Sequence, residues 1–118
     1  MSPEARALAQ VLLDHHREIC RRPGGPQPSV DSALIPYGML CERAGLSYSS
    51  HNVGPFLREI AKWCHEKGWP PINSLAINYA TRMPGQGYDR APGCSLQHWR
   101  DEVAACIEFA GYPDVANG

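Results

Sequence analysis

The sequence predicts a mainly α-helical single domain, with about four helices and one short β-strand or wing. Three observations lead there. Apolar residues recur at helical spacing in several stretches. Two of these, between Tyr37 and Lys67, are separated by a short turn in helix–turn–helix outline. A loosely alternating stretch then runs into Pro84-Gly85-Gln86-Gly87. A chain of 118 residues suits one domain. Folding at this size buries roughly two-thirds of the chain's surface, so a core is affordable without staples. The expected organisation is an N-terminal helix over 1–22, a Pro/Gly-rich linker over 23–34, the helix–turn–helix and wing over 35–90, and a C-terminal helix within 95–113.

The first helix has Ser2 as N-cap, Pro3 at the first helical position and Glu4 complementing the dipole. Leu8, Val11, Leu12, His15 and Ile19 form its apolar stripe, and Arg17, Arg21 and Arg22 crowd its C-terminal end. Pro23-Gly24-Gly25-Pro26-Gln27-Pro28 cannot continue it. Pro36 then starts a short helix over Tyr37–Ala44, with Met39 and Leu40 inward and Gly45 just past its end. Leu46–Ser50 is a turn whose serines offer caps. The next helix runs from about His51 to Lys67 with Val53, Phe56, Leu57, Ile60, Ala61 and Cys64 on one face, and stops at Gly68. Any two packed helices share this outline.

Trp69-Pro70-Pro71 breaks the chain, and Ile72–Ala80 alternates as a half-buried strand would. Gly85 and Gly87 around one residue are expected to supply positive φ in a sharp turn, as a wing or an ordinary loop. Ser95 is expected to cap a last helix through about Ala110, with Trp99, Val103, Cys106, Ile107 and Ala110 as its stripe and Gly111 ending it, followed by a frayed tail.

Composition bounds the function. A net charge of −1 denies the chain a strong overall positive field, so nucleic-acid binding requires a local basic face. The 5 cysteines are scattered without a C-x-x-C pair, and reduced thiols in a cytoplasmic setting are the economical reading. Ser2–Arg6 opens a helix and Leu8–Leu13 is too short for a signal core or a span, so no membrane association is expected. Cys94/His98 and Cys64-His65 match no standard zinc spacing, and no metal or other cofactor is expected. His15 and His16 have no nucleophile near in sequence, and Asp101-Glu102 reads as a solvated face. There is no phosphate-cradling glycine motif. The chain is expected not to be an enzyme, with no catalytic residue.

Binding chemistry is richer. Tyr48, Ser49, Ser50, His51, Asn52, Arg58, Lys62, Asn73, Asn78, Arg82 and Arg90 offer groups for phosphates and base edges, while Glu42, Glu59, Glu66 and Asp89 cancel much of the charge. An ordinary mixed polar surface is the alternative.

Tyr37-Gly38-Met39-Leu40-Cys41-Glu42-Arg43-Ala44-Gly45, then Ser50-His51-Asn52-Val53-Gly54-Pro55-Phe56-Leu57, resembles the C-terminal domain of the O6-alkylguanine-DNA alkyltransferases and alkyltransferase-like proteins. Pro71–Asn78 and Pro84–Gly87 are similar to that family's active-site stretch and its glycine-bearing continuation. The resemblance implies a winged-helix-like fold whose second helix enters the DNA minor groove, in a family that flips a base from the stack. Ile72 or Asn73 stands where the family has its nucleophilic cysteine, the histidine and arginine after it are missing, and His51 stands at the stack-filling arginine. Alkyl transfer is therefore not expected. The Pro70–Tyr88 signature is also similar to short bacterial and phage proteins.

Two functions are carried forward. One is a non-enzymatic winged-helix-like domain binding duplex DNA through Tyr37, Ser50, His51, Asn52, Arg58, Lys62, Asn73, Arg82 and Arg90. The other is a protein-binding module, such as a phage or mobile-element accessory factor or inhibitor. It would use Trp63, Trp69, Tyr48, Tyr79 and Tyr88 as exposed anchors.

Overall fold

The computed structural model describes residues 1–21, 24–47 and 53–118. Helix α1 spans Pro3–Cys20, and its start follows the expected chemistry: Ser2 Oγ accepts the Ala5 N–H at 3.2 Å. Ser2 also donates its Oγ–H and backbone N–H to the Glu59 carboxylate at 2.8 and 2.7 Å, tying the head of α1 to a later helix. Leu8, Leu12 and Leu13 are buried on the inner face, and so are His15 and His16. Each histidine donates Nε2–H to a backbone carbonyl, of Ala33 at 2.8 Å and Cys106 at 2.6 Å respectively.

The segment expected to be a linker ends inside the core. Ala33, in a 3-10 turn over Asp31–Ala33, and Leu34 are both buried. Strand β1, Ile35–Pro36, then leads directly into α2, Tyr37–Arg43. Gly45 lies at φ +72°, and the Leu46 and Gly45 N–H groups return to the carbonyls of Cys41 and Glu42 to close the helix. The same closure at Gly68 ends α3, Gly54–Lys67. Met39 is 44% exposed rather than inward, because Tyr37, Leu40 and Cys41 take the buried positions of so short a helix.

The half-buried strand expected over Ile72–Ala80 takes a different form. Ile72–Leu75 is a 3-10 turn, and strand β2 is only Ala76–Ile77. The two strands pair in parallel, Ile35 with Ala76 and Pro36 with Ile77, with α2 and α3 in the crossover. Parallel pairs of this kind are covered on both faces, and Ile35, Ala76 and Ile77 are buried accordingly. The Ile72–Leu75 turn sits where α1, α3 and α4 meet, and its four side chains are all buried.

The last helix, α4, covers Trp99–Glu108 after a 3-10 turn over Leu96–His98. Trp99 Nε1–H reaches the Ser74 carbonyl at 2.9 Å. Ser95 makes no side-chain cap; its backbone N–H donates to both Glu102 oxygens at 3.1 Å. The tail, expected to fray, is held along α1. The Ala116 N–H donates to Gln10 at 2.8 Å, and Gln10 and Arg17 donate to the Asp114 carbonyl. The fold class is thus mainly α, four α-helices among the described residues, with a short two-stranded parallel sheet. No helix among them is long and apolar enough to cross a membrane.

Candidate functional site

Helix α3 carries the decisive surface. Its inner face places Ile60, Ala61, Trp63 and Cys64 in the core. Arg58, Lys62 and His65 therefore fall at i, i+4 and i+7 on the outside, and all three are exposed. The chain over 85–93 runs along this stripe. A Cβ built on Gly87 would lie 3.0 Å from Arg58 Nη1, and one on Gly93 would lie 3.0 Å from His65 Nδ1. Arg90, exposed at the end of the 3-10 turn Gln86–Arg90, lies in the chain between those two contacts.

The Gly85/Gly87 pair has a different purpose from the one expected. Gly85 sits at φ −71°, and the positive-φ glycines are elsewhere, with Gly93 at +73° and the non-glycine Arg82 at +59°. A side chain at Gly87 would crowd only the far end of Arg58. Gly85 closes on α2, its N–H donating to the Tyr37 hydroxyl at 2.7 Å.

Of the acids near this face, Glu59, Asp89 and Glu102 are engaged elsewhere, while Glu66 stands exposed on α3 four residues after Lys62. Glu59 accepts from Ser2, and those bonds hold its carboxyl below the ordinary Glu range. Asp89 accepts the Leu96 N–H. Glu102 accepts the Tyr88 hydroxyl at 2.5 Å as well as the Ser95 N–H. The phenol of Tyr88 is pushed up, mainly by burial and then by that carboxylate. The ion pairs among the described residues join Arg17 to Asp14 and Asp114, and Arg100 to Asp31. Arg58, Lys62 and Arg90 take part in none of them.

Between the start of α3 and the 85–88 turn lies a cavity of about 410 Å3. Val53, Leu57, Tyr88 and Ala91 give it apolar walls, Arg58 supplies a cation, and Tyr37, Asn73 and Asn78 supply polar groups. Asn73 is 3% exposed; its Nδ2 points to Cys94 Sγ at 3.6 Å, and its Oδ1 has no hydrogen-bond partner.

The expected site residues therefore divide. Arg58 and Lys62 share the outer face of α3, and Arg90 is exposed in the loop that meets that helix at Gly87 and Gly93. Tyr37 and Asn73 are buried and belong to the cavity, so neither is available to a phosphate on the surface. The Arg82 guanidinium turns to the Asp31 carbonyl at 3.2 Å, beside Arg100. Ser50, His51 and Asn52, with Tyr48 and Ser49, lie outside the described residues.

Of the expected aromatic anchors among the described residues, Trp63 and Tyr88 are buried, Trp69 is half-buried against Trp63, and Tyr79 alone stands out at 80% exposure. Sequence reasoning missed His65 and the role of Gly93, whose spacing of seven from Arg58 and six from Gly87 follows from the numbering once the loop is known to lie on α3.

The thiols are structural in their setting. Burial pushes Cys64 up to about 12 and Cys106 up to about 11, so neither is a thiolate near neutral pH. Among the described residues no group of three or more His, Cys, Asp or Glu side chains gathers as metal ligands would. In comparisons with known proteins, the chain matches no family model, no curated protein and no solved structure.

Proposed function

We propose that this protein is a non-enzymatic nucleic-acid-binding domain that meets duplex DNA with the outer edge of α3 and the adjoining 85–93 loop. The observation carrying this reading is the cation set Arg58, Lys62 and Arg90, in no ion pair among the described residues, on two segments that touch at Gly87 and Gly93, with the nearby carboxylates of Glu59 and Asp89 turned to internal donors. Cations so placed suit phosphates, which supply most of the affinity in sequence-independent contact. The resemblance to the alkyltransferase-like domains points the same way, since its motifs lie over α2 and the start of α3. Five free cysteines suit a reducing, cytoplasmic setting.

Fluorescence anisotropy with a labelled duplex tests the reading. Wild-type protein is expected to bind at low salt, and R58A/K62A to lose most of that binding. Absence of binding to any duplex at low salt overturns it.

A second reading, a protein-binding module, draws on a different observation. Tyr79 and Met83 are exposed on one turn, closed by the Asn78 N–H on the Met83 carbonyl. A stoichiometric partner that resists high salt and is lost in Y79A favours that reading.

A further inference from the structure

We infer that the 78–83 turn and the groove beside it form a self-complementary surface through which two copies of this chain pair about a two-fold axis. The inference rests on the protein-binding reading above and names a second copy as the partner; the duplex-binding edge takes no part in it.

The turn is built to project. The Asn78 N–H donates to the Met83 carbonyl and the Arg82 N–H to the Asn78 carbonyl, both at 2.8 Å, and Asn78 Oδ1 accepts the Ala80 N–H at 2.8 Å. These bonds hold a turn from which Tyr79 stands out at 80% exposure. A tyrosine on a rigid turn offers large contact area and loses little freedom on binding. Arg82 sits at φ +59°, where glycine would rest without strain. Its guanidinium meets the Asp31 carbonyl at the surface, at 3.2 Å. An exposed bond of this kind adds little stability, and strained backbone gathers at functional sites.

Beside the turn lies a groove of about 490 Å3. Thr81, Arg82 and Met83 line it from the turn, and Leu96, Trp99 and Asp101 from α4 and the 3-10 turn before it. Met83 is 42% exposed, so the groove offers apolar surface to an incoming ring. A projection next to a recess is the arrangement a two-fold interface requires. With the axis between them, each Tyr79 enters the other copy's groove.

Charge selects a second copy over other partners. Of the charged residues lining the groove, Arg100 and Asp31 pair with each other at 3.3 Å. Arg82 and Asp101 take part in no ion pair among the described residues. One cation and one carboxylate left over make the groove neutral, which suits neither a polyanion nor an acidic or a basic peptide. The same two groups satisfy each other twice across a two-fold axis, Arg82 of one copy against Asp101 of the other. The chain's net charge of −1 adds almost no repulsion between copies.

Sedimentation equilibrium of the full chain, from about 1 μM to about 1 mM, tests the inference. The mass is expected to rise with concentration from 13.0 kDa toward twice that value. Y79A, which alters an exposed side chain, is expected to pair about tenfold more weakly. R82D and D101R set like charges against each other across the axis, and each is expected to pair about tenfold more weakly. Asp tolerates the left-handed backbone at position 82. An equimolar mixture of R82D and D101R is expected to regain wild-type pairing, because each mixed dimer sets opposite charges together at both contacts.

A monomer at every concentration, pairing unchanged in Y79A, or a mixture that pairs no better than its components overturns the inference. A monomer that captures a different protein through Tyr79 also overturns it, while leaving the protein-binding reading in place. A dimer that binds no duplex in the same buffer supports the inference and removes only the nucleic-acid reading.

Discussion

The Tyr37 hydroxyl accepts the Gly85 N–H at 2.7 Å, joining the first residue of α2 to a glycine 48 positions away. That bond fixes the turn whose next glycine lies against Arg58, so a buried phenol positions part of the exposed edge. Burial pushes its titration up, and the Gly85 bond opposes that only in part; the group is a neutral phenol across the physiological range. Y37F removes one largely buried hydrogen bond and is expected to cost about 1 kcal/mol. Denaturant unfolding measures the loss, and hydrogen exchange should quicken first at Gly85.

Gly87 and Gly93 make opposite predictions about stability and binding. G87A asks only the far end of a flexible arginine to move, so it should change stability by less than about 0.5 kcal/mol while weakening duplex binding. G93A places a side chain at φ +73° and against the His65 ring, and is expected to cost about 1–2 kcal/mol. Thermal melts of the two variants beside anisotropy titrations separate these effects.

His15 and His16 set the first acid limit. Burial lowers both below the ordinary value of 6.5, and their backbone bonds offset this only in part. The unfolded chain therefore binds more protons than the folded one once the pH drops below about 6.5. Stability should be flat above that point and fall beneath it. H16Q, which keeps a donor toward the Cys106 carbonyl but does not titrate, should flatten part of the slope. A Tm series from pH 8 to pH 5 checks this.

Glu59 adds a second, more acidic step. Its carboxyl is depressed by the two Ser2 bonds, so its contribution is present above the ordinary value of 4.5 and lost as pH falls through the folded value. E59Q should shrink the loss of stability between about pH 5 and pH 3 without altering the histidine step. Its exposure to solvent keeps the effect small.

Helix α1 and the closures at Gly45 and Gly68 were legible in sequence because a cap or a left-handed glycine is a local signal. Strand β1 was not: a two-residue strand carries no alternation, and its partner lies beyond two helices. Ile72–Ala80 mimicked a half-buried strand because Leu75, Ile77 and Tyr79 alternate there, yet its first four residues form a 3-10 turn in which Asn73 and Ser74 are buried too. Arg58 and Lys62 were visible as helix-surface cations, but the cavity was not. It exists only because the 85–88 turn closes on α2 and α3, a tertiary contact that no spacing announces.

The salt dependence of duplex binding by the full chain, compared with R58A/K62A, tests the central claim most directly. If α3 and its loop meet the backbone, log K should fall linearly with log salt, and neutralising both cations should reduce the slope by about 1.8, or roughly 0.9 per lost phosphate contact. Duplex binding whose slope is the same in wild type and R58A/K62A contradicts it.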